Sequence, residues 1–234
     1  MIICLETSTT VCSVALCNSD GVVASRESSE NKSHASQLTL FIGDLLSEAG
    51  ITAGQLEAVV VSKGPGSYTG LRIGVSAAKG IAYAVSVPLI GVETTLSMFY
   101  GITDNIKEKY GVDKTSLFVP MLDARRMEVY YTIYTSEGMT VKEISAEIID
   151  ERTFMDIPDS VRILVFGDGA IKCRPVLKRK NTEFADEFRI SAAFMYKPAY
   201  RSIAAGRFED VAYFEPFYLK DFITSTPKRN FPGR

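Results

Sequence analysis

The sequence holds very few of the residues that bind metals or form disulfides. It has a single histidine, His34, and its four cysteines lack the short paired spacing of a zinc site. One histidine excludes any site that needs two, and a general base at His34 would need a partner and a nucleophile that the sequence does not supply. We therefore expect His34 to pack or to form hydrogen bonds at the start of a helix. Three of the cysteines fall in apolar strand patterns, where we expect small core residues in a reduced cytoplasm.

Long apolar runs and an excess of positive charge are also missing. No run reaches the ~20 residues of a membrane span, and the chain opens directly on a strand, which leaves no room for a signal peptide. The net charge of −2, with a pI of about 5.6, predicts no general attraction to nucleic acid or to a membrane. Hydrophobic residues, in contrast, are abundant. With 234 residues, 46% of them hydrophobic, the chain can bury one large core or two modest ones.

The chain is organised around a glycine-rich stretch, residues 62–92. A run of β-branched residues at 57–61 predicts a strand that is covered on both faces. The Gly-Pro-Gly sequence at 64–66 breaks this strand, and either Ser67 or Thr69 can cap a helix predicted over 70–85. A turn of this kind suits either tight packing or phosphate binding at the helix N-terminus. The Gly-Lys-Ser/Thr sequence of a P-loop is absent, which favours packing.

The predicted helix over 70–85 carries a ridge with almost no side chain. Gly70, Gly74 and Ala78 recur every four residues. Two glycines inside a helix each cost about 1 kcal/mol relative to alanine, so we expect another backbone to approach this ridge closely. The pattern does not say whether that backbone belongs to this chain or to another.

A second helix, predicted over 33–49, has an apolar stripe that is wider than one sheet contact needs. An apolar patch left over on a soluble protein usually marks a partner site. We therefore predict that the two helices form an intermolecular surface, which gives a two-fold homodimer when the chain is alone. The predicted interface residues are Leu38, Phe41, Ile42, Leu45, Gly70, Gly74 and Ala78.

The order of the predicted elements indicates an α/β fold with two ribonuclease-H-like lobes, residues 1–100 and 101–234, the second being smaller and ending in a loose basic tail at 224–234. This is the architecture of the actin-like ATPase superfamily, which includes sugar kinases and heat-shock ATPases. The first lobe has strands at 2–6, 11–17, 22–27, 57–61 and 88–92. The second has strands at 117–123, 128–135, 141–149 and 162–166, and a late helix that includes 203–208.

The turn at residues 7–10 resembles the first phosphate loop of the actin-like ATPases. In that loop an aspartate and a glycine precede threonines, whereas here Glu6 and Ser8 stand in their places. The longer acid and the missing glycine both crowd a phosphate and its metal. The resemblance therefore supports the fold more than the activity, and a ligand or phosphate contact at Ser8, Gly66 and Ser67 stays as the alternative.

Motifs along most of the chain resemble those of the bacterial TsaB (YeaZ) family. The glycine-rich block and the DAR block are specific together, and the other motifs are weak alone. Lys220 stands where the family pattern leads us to expect arginine. The matching segments, in chain order, are CLETST, SHASQLTLFIGDLL, KGPGSYTGLRIGVSAAKGIA, DAR with EVY, FGDGA and PFYLK.

Members of this family are paralogues, without catalytic activity, of the TsaD threonylcarbamoyltransferase. TsaD carries a His-x-x-x-His pair that binds the catalytic metal just after the strand matching 88–92. The corresponding positions here are Thr94 and Met98, which are poor ligands for such a metal. The resemblance thus implies no catalytic residues, no metal site and no intrinsic cofactor.

Arg125 fills a position where the superfamily's second phosphate loop has a glycine. It can bind a phosphate or carboxylate of a ligand or partner, or it can pair with Asp123 or Glu128 and hold its hairpin together. The basic run at 172–180 is expected to be solvated surface, with a contact to the tRNA backbone as the alternative.

The resemblance implies a scaffold subunit that pairs with TsaD, and with the ATPase TsaE, in forming threonylcarbamoyladenosine in tRNA. It further implies a cytoplasmic protein that meets tRNA only within the complex, where ATP or ADP can lie at the assembled interface. The competing class is an enzyme of the same superfamily. A phosphotransferase would need an intact phosphate loop, and a metallopeptidase would need metal ligands that one histidine cannot supply.

Overall fold

The computed structural model describes residues 1–29 and 34–220, which form two mixed five-stranded sheets. Residue 33, where the first helix was predicted to begin, and the tail at 224–234 lie outside the described residues. The first sheet has the strand order β3-β2-β1-β4-β5. Its strands are β1 (Ile2–Glu6), β2 (Cys12–Asn18), β3 (Gly21–Ser28), β4 (Ala58–Gly64) and β5 (Leu89–Glu93).

Helices cover both faces of this first sheet, which explains the unbroken apolar run of β4. Val59 and Val61 face α1 (His34–Glu48) and α2 (Tyr68–Val85). Val60, on the opposite face, packs with a short 3₁₀ helix (Ala192–Met195) and its neighbours. All three valines are fully buried, and β4 pairs in parallel with β1 and β5. The predicted strand with two covered faces is confirmed.

The second sheet has the order β10-β9-β6-β7-β8. As in the first sheet, an antiparallel meander of three strands is continued by parallel strands. The predicted α/β class with two lobes is therefore confirmed. The strands are β6 (Leu117–Asp123), β7 (Glu128–Thr135), β8 (Thr140–Ile148), β9 (Ile163–Phe166) and β10 (Thr182–Ala185).

The buried helix α3 (Thr94–Tyr100) connects the two sheets. Its Met98 is 1% exposed and belongs to the apolar cluster on one face of the second sheet, with Phe118 and Leu164. Thr95 hydrogen-bonds Thr132 of β7 at 2.9 Å. The other α-helices of the described residues are α4 (Asp104–Lys109), α5 (Ala170–Cys173) and α6 (Tyr196–Ala204).

The end of the described chain returns to the first sheet. Residues 192–204 pack on the face that carries Val60 and Ile90, so the predicted second lobe, 101–234, includes a segment that packs on the first. The late helix is α6, which includes residues 203 and 204 of the predicted range but ends before 205–208. Pro198 is tolerated in its first turn, and Gly206, with φ of +63°, follows its end.

Candidate functional site

The small-residue ridge of α2 packs against the turn that follows β1. A Cβ atom at Gly70 would overlap the carbonyl oxygen of Thr7, and one at Gly74 would overlap the Thr7 hydroxyl. That hydroxyl donates a hydrogen bond to the Gly70 carbonyl at 2.8 Å. Ala78 is fully buried in the same core. The close neighbour of the ridge is therefore this chain's own backbone, which is why small residues are required.

Five of the seven residues predicted at a partner interface lie in the core of the chain. Gly70, Gly74 and Ala78 face the β1–β2 turn and its sheet, and Leu38 and Leu45 of α1 are at most 1% exposed. Placing these five at an interface was wrong, because the sheet takes up the apolar stripe. The remaining two, Phe41 and Ile42, are half-buried at the edge of the same core, and their role at an interface stays a prediction.

The outer faces of α1 and α2 instead border a shallow groove of about 540 Å³. Its lining combines apolar and polar side chains. Leu40 of α1 and Tyr83 of α2 are 63% and 80% exposed on these helices. The groove is lined by Ala35, Thr39, Tyr68, Thr69, Arg72, Ile73, Ser76 and Ala77.

The counterpart of the phosphate loop is closed by its own backbone. The amide of Ser67 donates to the Ser8 carbonyl at 2.6 Å, and a Cβ at Gly66 would overlap that same carbonyl. The Ser67 hydroxyl caps α2 by accepting a hydrogen bond from the Gly70 amide at 3.2 Å. Ser8, Gly66 and Ser67 thus contact one another, and the glycine makes room for a peptide group of this chain.

A buried carboxyl group lies beneath this turn. Glu6 is fully buried, and its Oε1 accepts a hydrogen bond from the Ser8 amide at 2.7 Å. Within the described residues its Oε2 and the Ser8 hydroxyl have no hydrogen-bond partner. Burial raises the pKa of Glu6, and hydrogen bonds from neighbouring residues lower it by less. Because the closed turn covers this carboxyl group, it is poorly placed to bind a metal–phosphate complex.

The positions that correspond to a metal-binding pair are part of the core. The Thr94 hydroxyl hydrogen-bonds that of Ser62 at 2.8 Å, and Met98 packs so closely that a Cβ at Gly167 would overlap its methyl group. His34 donates from Nε2 to the Thr9 carbonyl at 2.9 Å, as expected for a hydrogen-bonding residue. Among residues 1–29 and 34–220, no three side chains of histidine, cysteine or acid cluster as metal ligands.

A cleft of about 440 Å³ separates the two lobes. Threonines of the β1–β2 turn line one wall, and the FGDGA segment after β9 lines the other. Its floor is apolar, and Leu122 at the end of β6 forms part of it. The lining includes Thr9, Val11, Glu27, Met98, Asp168 and Phe188.

Arg125 and Arg126 form the turn between β6 and β7. Both have left-handed backbone, with φ of +71° and +52°, which costs about 1 kcal/mol or more for each residue with a Cβ. The predicted pairing of Arg125 with Asp123 or Glu128 is wrong as an ion pair. Lys172 forms the ion pair with Asp123 instead. Arg125 contacts Asp123 only through its own backbone amide, which donates a hydrogen bond at 2.7 Å.

The C-terminal segment 214–220, which contains the PFYLK motif, bridges the lobes. The Phe217 amide donates to the carbonyl of Lys63 in β4 at 2.7 Å. The ring of Tyr218 lies 4.9 Å from that of Tyr68 in α2. Lys220 then forms an ion pair with Glu128 of the second sheet. Sequence reasoning found the motif but missed this role, because only the fold brings these partners together.

The basic run at 172–180 is largely engaged within the chain. Lys172 holds Asp123 and the Glu128 carbonyl, and Arg174 pairs with Asp186 at 2.5 Å. Arg179 is only 5% exposed. It donates to four backbone carbonyls, those of Ile157, Pro158, Val161 and Lys180. The predicted fully solvated run is therefore wrong in part, since these three cations stabilise the second lobe.

Two mixed sheets joined through a buried helix, with a cleft between them, define an α/β protein of the actin-like ATPase fold class. A family model described as TsaD, tRNA N6-adenosine threonylcarbamoyltransferase, matches residues 21–206. The tRNA threonylcarbamoyladenosine biosynthesis protein TsaB of Escherichia coli is 30% identical over 242 residues, spanning 100% of this chain and 99% of that protein. The chain therefore belongs to the TsaB (YeaZ) family.

Further relatives agree with this assignment. The TsaB protein of Bacillus subtilis is 29% identical over 61% of this chain and 58% of its own length. A solved structure from Pseudomonas aeruginosa, described as similar to peptidase YEAZ, has a TM-score of 0.79 at 24% identity and covers 94% of this chain and 99% of its own. At that identity it supports the fold alone. No helix in the described parts of the chain has the length and hydropathy to cross a membrane.

Proposed function

We propose that this chain is a non-catalytic partner subunit in the formation of threonylcarbamoyladenosine in tRNA. The observation that carries the proposal is the similarity, over its full length, to a protein named for that pathway. The names of the relatives favour this function over the phosphotransferase or metallopeptidase alternative. The core packing of Thr94 and Met98 supports the absence of catalysis by this chain, because neither side chain is free to act at a site.

The partner in this proposal is the paralogue TsaD, with TsaE joining the complex. The family model that matches residues 21–206 of this chain, a range that includes α1 and α2, is that of TsaD. We propose the groove between α1 and α2 as the docking surface, because its half-buried apolar residues Ile73 and Ala77 adjoin the core that holds these two helices in place. Alone, the same groove would be covered by a second copy in a homodimer.

The closed turn at Ser8 and Gly66 supports the proposal that this chain has no cofactor of its own. A nucleotide, ATP or ADP, would then be held only where this chain and its partner meet. Function on tRNA places the protein in the cytoplasm in this proposal.

Ser76→Arg tests the docking surface. Ser76 is exposed on α2 and lines the groove, so a long cation there should block docking without disturbing the core. We expect an unchanged melting temperature, loss of co-elution with TsaD, and loss of threonylcarbamoyladenosine from the tRNA of cells that carry only the variant.

Asn105→Arg is the matched control, since it places the same side chain at an exposed helical position on α4. It should retain both properties. A Ser76→Arg protein that still binds TsaD would refute the groove as the docking surface. Normal levels of the modified nucleoside in cells without this chain would refute the function.

A further inference from the structure

The two arginines at the β6–β7 turn occupy backbone that suits glycine or asparagine. Arg125 and Arg126 are both left-handed, and bulky residues in succession there are uncommon. Hydrogen bonds from backbone amides hold the turn: the Arg125 amide donates to Asp123, and the Glu128 amide donates to the Arg125 carbonyl at 3.2 Å. Nothing in that bonding depends on a guanidinium, so the fold does not explain why arginine occupies these two positions.

The carboxylates beside the turn are already engaged by lysines from distant parts of the chain. Asp123 is paired with Lys172, and Glu128 with Lys220. Within residues 1–29 and 34–220, neither arginine's guanidinium makes a hydrogen bond or an ion pair, and both residues are exposed. The two lysines therefore neutralise the acids and leave the arginine charges available to a partner.

The acids that the structure pairs at this edge do not offset the two arginine charges. Lys172 and Lys220 pair with Asp123 and Glu128, and the carboxylate of Asp168 accepts a hydrogen bond from the Asp123 amide at 3.1 Å. Two adjacent unpaired guanidinium groups suit an anion with closely repeated charges, and arginine binds phosphate oxygens in a bidentate manner.

We propose that the β6–β7 turn, through Arg125 and Arg126, contacts the phosphate backbone of tRNA when this chain is assembled with its partner. This proposal rests on the proposed function for the identity of the RNA. A single pair of cations gives weak binding, which agrees with the acidic chain, so the contact adds to the affinity supplied by the other subunit. It positions the RNA without reading its sequence.

The double variant Arg125→Gly/Arg126→Gly tests the contact. Glycine removes both charges and also relieves the left-handed backbone, so the melting temperature should stay the same or rise. Binding of an unmodified tRNA transcript to the complex with TsaD should weaken, and the slope of log K against log salt should fall by about 2, one for each phosphate contact. Arg125→Lys/Arg126→Lys keeps the charges and should keep most of the slope.

The charge-matched control is Lys178→Gln/Lys180→Gln, which removes two exposed cations from the basic run and should leave the slope unchanged. An equal fall in this control would overturn the proposal, because general electrostatics would then explain both results. An unchanged slope in the glycine variant would also overturn the proposal. This includes the outcome in which the variant loses TsaD binding, because the arginines would then contact a carboxylate of the protein partner and not the RNA.

The same titration on the chain alone at low salt separates this inference from the proposed function. If the unaltered chain forms no complex with TsaD, the proposed function fails. The glycine variant's smaller salt slope on the isolated chain would still support the contact, and an unchanged slope there would overturn it.

Discussion

Two glycines of the same helix should respond in opposite ways to one added methyl group. Gly74 faces the Thr7 hydroxyl, and a Cβ there would overlap it. Gly80 is exposed, and a Cβ there would meet nothing within 4 Å. Alanine improves helix propensity by about 1 kcal/mol at either position. Gly80→Ala should therefore raise the free energy of unfolding by about that amount.

At Gly74 the same gain is opposed by overpacking. Thr7 is fully buried and its hydroxyl is tied to the Gly70 carbonyl, so the neighbour has little room to move. Overpacking of a tight core costs about 1–3 kcal/mol, and the two alanine variants should thus differ by about that amount. For a chain of this size, each kcal/mol corresponds to roughly 2–4 °C in melting temperature.

Urea denaturation followed by circular dichroism measures this difference, provided that unfolding is a single transition in each variant. The double variant Thr7→Ala/Gly74→Ala completes a cycle. Because the overlapping hydroxyl is gone, Gly74→Ala should cost less in the Thr7→Ala background than in the unaltered chain. If Gly74→Ala is as stable as Gly80→Ala, the ridge does not pack on the β1–β2 turn and the reasoning about α2 is refuted.

Three further predictions concern the buried acid Glu6, the buried cation Arg179, and the binding of metal and ATP. Burial raises the pKa of Glu6, so the stability that its protonation contributes is complete below the unfolded pKa of about 4.3 and is lost as pH rises through the folded pKa. Glu6→Gln should flatten that decline in a series of unfolding curves measured at different pH. An equal decline in the variant and the unaltered chain would contradict this prediction. A lysine at position 179 cannot reach all four carbonyls, so Arg179→Lys should lower the free energy of unfolding by about 2 kcal/mol. Equal urea midpoints for the two proteins would contradict this role of Arg179. The isolated chain should hold no stoichiometric divalent metal and hydrolyse negligible ATP, and one tightly held zinc or iron in elemental analysis would disprove this.

The order of elements could be predicted from the sequence because its signals are local. The β-branched run of β4 and the glycine and proline after it are neighbours in sequence, and they mark a strand and its end. Elements with weaker periodicity were missed. The buried helix α3 carries threonines and a serine on its inner side, which resemble a loop until Thr94 and Thr95 find hydroxyl partners on β4 and β7.

The direction of the α2 ridge could not be predicted in the same way. Spacing by four shows that Gly70, Gly74 and Ala78 share one face, and propensity shows that the face must be crowded. Neither says what crowds it. The answer is Thr7, more than sixty residues away in the chain, so it depends on the parallel pairing of β1 with β4.

The partners of Arg125 show how a local reading can fail even when it names the right residues. Asp123 and Glu128 are its nearest acids in sequence, and either could have closed the hairpin. Lys172 and Lys220 reach these acids from 49 and 92 residues further along the chain. The parallel pairing of β6 with β9 carries α5, and Lys172 with it, to the end of β6. The segment after α6 carries Lys220 to β7. Because both acids are satisfied from a distance, the arginines at the turn face outward, and any role for them lies in what they contact beyond this chain.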